Sequence, residues 1–441
     1  RRGLPRDVRR MQRPRHDPVA SVMRSAHYAA SAALSACAIV VATPAARAAG
    51  YDTPILYSAR HQGMGGTAIA YVDDPSATFH NPAGLSGVKG LSLLGDFSLI
   101  LGRVQASPQR SVTSLESEPV LAPFFLLGAG IRVHEWVSVG LGVFPVASGG
   151  AEYRYEIAGN PFVDSTRIVF LEATPAASLN VPKDAWVPGE LAIGAGYRVS
   201  FLTFEREQGS PSDPRVLNLD MSGNSFAGFR VGAQYHPIPE LGFGAVFRNR
   251  IEIESRADEV SVYTETATDV TLPFVLPAKL GLGAELDLTR VRFALDAEYA
   301  FQSQNDRVAL EGTLDGEDES VPNIFDWQNG ITLRTGVEYR LLDGPRRYPL
   351  RVGYIFDSTV ANSAYPSAFG TPPAPTHTVS IGGGVDFGGV WQVNAAVARR
   401  FGETTIEASD LEPGCAFCSY EGDYAITMTG FYLDVSVNID L

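Results

Sequence analysis

Residues 431–441 read Phe-Tyr-Leu-Asp-Val-Ser-Val-Asn-Ile-Asp-Leu, and this stretch decides the fold. Apolar side chains occupy the odd positions, and polar or charged side chains occupy the even ones. A period of two is the pattern of a β-strand that separates an apolar from a polar environment. Here the apolar face can meet lipid and the polar face can meet a wet lumen.

The same alternation recurs in residues 241–252, 291–302, 331–340 and 350–357. In a soluble sandwich the polar face would meet bulk water and would be dominated by Lys and Glu, whereas these faces mix Gly, Arg and Asp. We therefore predict an all-β fold, a 14-stranded antiparallel transmembrane β-barrel. The predicted strands are 90–104, 119–133, 136–148, 166–181, 189–205, 215–235, 241–256, 275–287, 291–304, 329–341, 349–358, 376–386, 390–402 and 423–441.

The gaps between these strands alternate in length, as long outer loops and short periplasmic turns do in outer-membrane barrels. The sheet must close, because an open edge in lipid leaves backbone groups unpaired at several kcal/mol each. One long gap contains the acidic segment 311–320. We interpret it as a solvated outer loop, with binding of divalent cations near lipopolysaccharide as the alternative, since its oxygen ligands lack calcium-loop spacing.

Residues 23–48 have the organisation of a secretory signal. Arg24 gives a positive start, an apolar run follows, and small residues occupy both recognition positions before a cleavage site after Ala48. A lipoprotein cleavage box at 34–37 is the alternative, but the apolar run continues beyond Cys37. The predicted organisation is therefore an upstream extension and signal peptide (1–48), an N-terminal hatch, or plug, in the lumen (49–89) and the barrel (90–441).

The composition excludes several function classes. The formal net charge of −14 argues against nucleic-acid binding, which needs a basic surface. After the leader, the longest apolar runs fall short of the ~18 residues that a membrane helix needs. No Gly-x-Ser-x-Gly motif or equivalent catalytic cluster stands out, so we predict no enzymatic activity and no cofactor or metal site.

Two cysteines, Cys415 and Cys418, follow the leader. Low cysteine use in an exported chain suits a Gram-negative envelope protein better than a disulfide-dense secreted domain. A metal or redox pair is one interpretation of Cys-Ala-Phe-Cys, but no second pair of ligands follows it. A small loop disulfide is the interpretation we adopt.

The segment between leader and strands is rich in Gly and contains Asn-Pro, so it is neither leader nor strand. It carries Gly63-Met64-Gly65-Gly66, then Asp73-Asp74, then Asn81-Pro82-Ala83. In this order the three groups resemble the hatch of the FadL/TodX family of outer-membrane transporters. Residues 272–283 and 350–357 are similar to two further family motifs, at the start of a mid-barrel strand and in a later strand.

This resemblance implies passive uptake of hydrophobic molecules, either long-chain fatty acids or aromatic and aliphatic hydrocarbons. In the family, the ligand passes from the outer loops to an apolar pocket, the hatch shifts, and the ligand leaves sideways through a gap beside a kinked third strand. The implied partners are the hydrophobic ligand, outer-membrane lipid and lipopolysaccharide, and the implied state is a monomer. The third outer loop here, 205–215, is short and polar, which departs from the family's best-studied members.

Candidate gate residues lie in the hatch. The three glycines, Gly63, Gly65 and Gly66, are expected to allow close backbone approach or positive φ. Asn81-Pro82-Ala83 is either a simple turn or a hatch turn packed in the lumen. Asp73 and Asp74 either pair with lumen arginines such as Arg334 and Arg351, cap the hatch, or lie solvated at its surface.

The third strand contains Gly140, Gly142 and Pro145. Proline cannot donate to a β-ladder and glycine weakens it, so these residues are candidates for a wall defect that permits lateral exit. The alternative is that Pro145 ends the strand at the outer rim.

Two other kinds of non-enzymatic barrel remain as alternatives. A general diffusion porin would need no plug, so the hatch segment counts against it. An adhesin or receptor barrel would use the Pro-rich loop at 361–376.

Overall fold

The computed structural model describes residues 56–210, 213–262, 265–367, 371–412 and 418–440. These residues fall within one compact unit. The predicted leader and its cleavage site lie outside the described residues, so the domain boundaries stay predictions. Of the hatch, residues 56–89 are described, and they contain α1 (Ala59–Gly63), α2 (Ala77–His80) and a 3-10 helix (Pro82–Gly87).

The rest of the described chain is mainly strand, and its nineteen strands form one sheet. In chain order they are β1 (Leu91–Ala106), β2 (Leu115–Glu116), β3 (Val120–His134), β4 (Val137–Ile157), β5 (Asn160–Val181), β6 (Glu190–Ser210), β7 (Asp213–Ile238), β8 (Leu241–Arg248), β9 (Ile251–Val262), β10 (Glu265–Leu276), β11 (Lys279–Asp287), β12 (Val291–Ala300), β13 (Arg307–Leu314), β14 (Glu317–Ile324), β15 (Gly330–Asp343), β16 (Arg346–Asp357), β17 (Thr376–Phe387), β18 (Trp391–Ile406) and β19 (Gly422–Ile439).

The sheet closes on itself, because β1 pairs with β3 on one side and with β19 on the other, all antiparallel. Strands β8 and β9 together form one wall strand, and β10 and β11 form the next, since β8 pairs with β11 and β9 with β10. Strand β2 and the β13–β14 hairpin belong to the long loops. The wall therefore has fourteen strands, and the predicted fold class is confirmed.

Several predicted outer loops are strand instead. The gap predicted at 149–165 is occupied by β4 and β5, which pair up to Ile157↔Asn160. The gap at 257–274 is largely β9 and β10, and the acidic segment 311–320 lies in the β13–β14 hairpin. Beyond the lipid both faces of a strand can be polar, so the alternation disappears while the backbone pairing continues.

The two faces of the wall differ as the alternation predicted. On β19, Phe431 and Leu433 are 45% and 49% exposed, whereas Asp434 and Ser436 are 1% and 5% exposed. Large apolar side chains on other strands are exposed in the same way, including Leu93, Phe97, Leu121, Phe243, Leu282 and Ile381. Among the described residues, no helix combines the length and apolar composition needed to cross a bilayer.

Candidate transport site: the hatch, the lumen and a window in the wall

Glycines on the lumen face of the wall seat the hatch. A Cβ atom at any of five of these positions would overlap hatch backbone or, at one of them, the Asn81 side chain. The positions are Gly194, Gly232, Gly244, Gly336 and Gly353. They lie on five different wall strands, so the hatch approaches the wall backbone around much of the lumen.

The three candidate gate glycines, Gly63, Gly65 and Gly66, lie near the β15–β17 side of the wall. Gly65 and Gly66 have φ values of 66° and 73°, a conformation that favours glycine. A Cβ at Gly63 would lie 3.1 Å from the Cα of Gly382 on β17. This geometry matches the expected reasons for glycine, while a gating role of these residues stays a prediction.

Asn81 connects two segments of the hatch, around Ile69 and Ala83, to strand β7 of the wall. Its side-chain oxygen accepts a hydrogen bond from the Ala83 amide at 3.2 Å and so caps the 3-10 helix that begins at Pro82. Its amide group donates to the carbonyl of Ile69 at 2.8 Å and to that of Ala233 on β7 at 3.0 Å. The Asn-Pro turn is thus packed in the lumen.

The two hatch aspartates pair within the hatch. Arg60 Nη1 lies 2.6 Å from Asp73 and 3.5 Å from Asp74. The predicted pairing with Arg334 or Arg351 is wrong for the direct contact, because those arginines pair with wall glutamates. Burial alone would raise the pKa of Asp73, but the adjacent Arg60 guanidinium holds that pKa below its usual value.

Two wall aspartates anchor the hatch. Asp434 on β19 accepts hydrogen bonds from Ser58 Oγ at 2.7 Å and from the Arg60 amide at 3.0 Å. Asp296 on β12 accepts from the Ala68 and Ile69 amides at 2.8 and 3.1 Å. The strand pattern had placed Asp296 and Asp434 on polar faces, but it carried no signal for the hatch amides that they bind.

The ladder between β3 and β4 covers only part of their length. It runs from His134↔Val137 to Leu127↔Val143 and then stops. Beyond that point β3 stays paired with β1 and β4 stays paired with β5, but β3 and β4 no longer pair with each other. A hydrogen bond from the Glu118 amide to the Glu152 carbonyl, 2.7 Å long, joins the two edges again near the long loops. We call the interval, residues 120–126 of β3 and 144–151 of β4, the wall window.

Pro145 lies at the edge of this window that is nearer to the short β3–β4 turn, which we call its lower edge. A bulge separates Pro145 from Ala147, and β4 then continues to Ile157, so the interpretation that Pro145 ends the strand is wrong. Gly140 and Gly142 lie below the window, paired on both sides, and they make room for hatch residues rather than weakening the ladder. The break in the β3–β4 ladder therefore begins beside Pro145 and not at the two glycines, and its role as a lateral exit stays a prediction.

Tyr57 connects the hatch directly to the window edge. Its hydroxyl donates to the Pro145 carbonyl at 2.5 Å, and its ring packs edge-on against Phe79 with centroids 5.1 Å apart. The Phe144 ring lies 5.9 Å from the Tyr57 ring, and His80 Nε2 lies 2.8 Å from the Tyr57 carbonyl. Sequence reasoning missed Tyr57, since a single tyrosine just ahead of the glycines carries no distinguishing pattern.

A cavity of about 770 Å³ joins the hatch to the window. Hatch residues Leu56 and Gln62 line one part of it, and residues 120–125, Pro145 and 148–152 line the window side. Its volume lies in the range of ~300–1,000 Å³ that is typical of small-molecule sites. Backbone that lacks ladder partners at membrane depth is tolerated where it borders such a cavity.

The predicted loop disulfide involves residues far along the chain from this site. Cys418 is disulfide-bonded. Cys415 lies outside the described residues, so the pairing stays a prediction.

Comparisons with solved structures show the same fold. The chain is similar to a Pseudomonas aeruginosa FadL homologue, with a TM-score of 0.68 and 15% identity over 88% of this chain and 100% of that chain. It is also similar to the P. putida toluene transporter TodX, with a TM-score of 0.63 and 17% identity over 88% and 99% of the two chains. For the CymD monoaromatic hydrocarbon channel the values are 0.64 and 15%, over 88% and 99%.

The sequence comparisons add the family. No curated protein sequence matches the chain significantly. The model of one family, Toluene_X, described as outer membrane protein transport protein (OMPP1/FadL/TodX), matches residues 39–412, which is most of the chain. The protein therefore belongs to the OMPP1/FadL/TodX family of outer-membrane transport proteins.

Proposed function

We propose that the protein takes up hydrophobic molecules passively and releases them sideways into the outer membrane through the wall window. The observation that carries this proposal is the cavity, because one space is lined by the hatch, by lumen-facing strands and by both edges of the window. A hydrophobic molecule in that space has a path into lipid that avoids the polar lumen.

The physical setting supports this route. Polar lipopolysaccharide hinders hydrophobic solutes from dissolving into the outer leaflet. An open aqueous pore offers these solutes no apolar contact. A cavity with apolar walls and a lateral exit avoids both obstacles. A general diffusion porin is less well supported, because the seated hatch occupies the lumen through which solutes would have to pass.

The relatives suggest the class of ligand. TodX is described as a toluene transporter and CymD as a monoaromatic hydrocarbon channel. For this protein we infer a small hydrophobic ligand, a monomer whose outer surface contacts lipid and lipopolysaccharide, and transport without a catalysed reaction or a cofactor.

Closing the window tests the proposal. Ala122 on β3 and Ser148 on β4 both line the cavity, one on each edge of the window. We expect the pair Ala122→Cys and Ser148→Cys, bridged by a bis-maleimide with a photocleavable spacer, to lose uptake of a radiolabelled hydrophobe and to regain it when the spacer is cut.

A pair in the intact ladder serves as the control. Ala129 and Leu141 face each other below the window, where β3 and β4 are already paired. Bridging Ala129→Cys to Leu141→Cys should leave uptake unchanged. Full uptake by the bridged window variant would refute lateral release through this opening.

A further inference from the structure

One arginine on the lipid-facing side of the wall lacks a carboxylate partner. Arg399 is exposed on β18, directly opposite Val379 on β17 and Thr429 on β19. Its Nη1 donates to the Thr429 hydroxyl at 2.7 Å, and it forms no ion pair with any described residue. A guanidinium has five N–H donors, so most of the donors of Arg399 remain available for an anion.

Other exposed arginines on the outside of the wall have glutamate partners. Arg103 lies 2.7 Å from Glu116, and Arg256 pairs with Glu254. In these pairs the protein itself balances the positive charge. The charge of Arg399 is not balanced in this way, so a partner from the surrounding membrane has to supply the anion.

The neighbours of Arg399 on the lipid-facing side are mostly apolar. Val397 and Phe401 flank it along β18, and Val379 lies beside it on β17, and all three are exposed. A cation among such side chains is unfavourable at the centre of the bilayer. It is tolerated near the interface, where a long side chain can extend its charged end to the head groups.

The length of β18 places Arg399 at that level. The β17–β18 turn is short and therefore periplasmic, and the exposed Trp391 begins β18. A rise of ~3.3 Å per residue and a tilt of ~40° put Arg399 about 20 Å, and Phe401 about 25 Å, above Trp391. The apolar band of such barrels is about 25 Å tall, so the Arg399 guanidinium lies just below the head groups of the outer leaflet.

A second polar group lies beside this arginine. His377 on β17 faces Phe401 across the ladder, with the two ring centroids 5.7 Å apart. The Nδ1 atom of His377 lies 2.7 Å from the Tyr354 hydroxyl, which leaves Nε2 as the ring nitrogen for a ligand. His377 and Arg399 are diagonal neighbours on one face of the sheet, a relation in which residues lie ~7–8 Å apart. One tetrahedral anion can therefore contact both side chains.

We propose that Arg399, assisted by His377, binds a phosphate group of lipopolysaccharide in the outer leaflet. Arginine and phosphate form short, charge-assisted hydrogen bonds that are often bidentate. The acyl chains of the same molecule lie along exposed apolar side chains closer to the periplasm, such as Val397 and Phe431, which face each other across β18 and β19. This inference goes beyond uptake, and from the proposed function it takes only the contact of the outer surface with lipopolysaccharide.

Native mass spectrometry tests the site. The purified protein in non-ionic detergent is titrated with lipid A that carries both phosphates, with fully dephosphorylated lipid A and with phosphatidylglycerol. In the wild type we expect phosphorylated lipid A to bind about tenfold more tightly than the dephosphorylated form, the effect of one hydrogen-bonded charge pair. Combining Arg399→Gln with His377→Gln should abolish this preference, and Arg399→Lys alone should keep part of it because the charge remains.

Arg256→Gln is the matched control. Arg256 is also exposed on the outside of the wall, but it already pairs with Glu254. Its substitution should leave the preference for phosphorylated lipid A intact. Heat-modifiable migration on gels establishes that every variant has a folded barrel.

The outcomes separate this site from the proposed function. Equal binding of the two forms of lipid A by the wild type, or an unchanged preference in the double variant, overturns the phosphate site. Tighter binding of phosphatidylglycerol than of phosphorylated lipid A also overturns it, because the occupant is then a phospholipid. Full uptake by the bridged window variant overturns the proposed function and leaves the phosphate site standing.

Discussion

Removing the Tyr57 hydroxyl should loosen the hatch at the window edge. In Tyr57→Phe the ring keeps its contacts with Phe79 and Phe144, but the 2.5 Å hydrogen bond to the Pro145 carbonyl is lost. The substitution leaves a buried carbonyl without this donor, and such a loss costs about 1–3 kcal/mol. Because 1.4 kcal/mol is a factor of about ten, the population of the released state should rise roughly 5- to 150-fold.

Planar-bilayer recording measures that population. The seated hatch should make wild-type channels almost silent, and Tyr57→Phe should raise the frequency of openings. Hydrogen exchange provides a second readout, since amides near Pro145 in β4 should exchange faster when the hatch is released.

Tyr71→Phe is the matched control. The Tyr71 hydroxyl donates to the Thr67 carbonyl at 2.6 Å, so its loss breaks a bond inside the hatch and leaves the wall contacts of Asp296 and Asp434 in place. If Tyr57→Phe opened no more often than Tyr71→Phe, the hydrogen bond to Pro145 would not hold the hatch, and the reasoning would be refuted.

Two further predictions concern the seat and the pH dependence of the hatch. Gly232→Ala places a Cβ against the Asn81 side chain and should destabilise the seated hatch by about 1–3 kcal/mol, seen as faster proteolysis of the hatch. Gly95→Ala, with nothing within 4 Å of its Cβ, should behave as wild type, and equal proteolysis of both variants would contradict the glycine seat. Burial lowers the pKa of His80 from 6.5 to about 3, so the released hatch binds a proton that the seated hatch excludes. Seating should therefore be most stable above pH 6.5 and weaken as the pH falls from 6.5 towards 3. Burial also lowers the pKa of His61. In planar-bilayer recordings the frequency of openings should therefore rise as the pH falls, and this rise should disappear in a variant that combines His61→Gln with His80→Gln. A rise that persists in that variant would contradict the assignment to the two histidines.

The wall strands were predictable because their signal is local. In β19, for example, each side chain meets either lipid or lumen, and the alternation of Phe431 with Tyr432 and Leu433 with Asp434 expresses that directly. The strand ends were harder to predict. Above the lipid the backbone pairing continues, for example at Glu156↔Pro161, without a lipid-facing pattern to mark it.

The glycines show a different limit. In sequence, Gly140 and Gly142 indicated a weakened strand, because glycine lacks a side chain to pack. In the structure they make room for hatch residues Leu85 and Thr78, more than fifty positions earlier in the chain. A local pattern cannot distinguish a glycine that weakens a strand from one that admits a distant segment.

The amino-acid sequence by itself determined the barrel, its strand number and the presence of a separate N-terminal segment, because alternation and loop length are properties of neighbouring residues. Tertiary structure alone decided where the hatch sits, which wall aspartates hold it, and where the β3–β4 ladder stops. These features depend on contacts between residues up to several hundred positions apart, and such contacts exist only once the sheet has closed around the hatch.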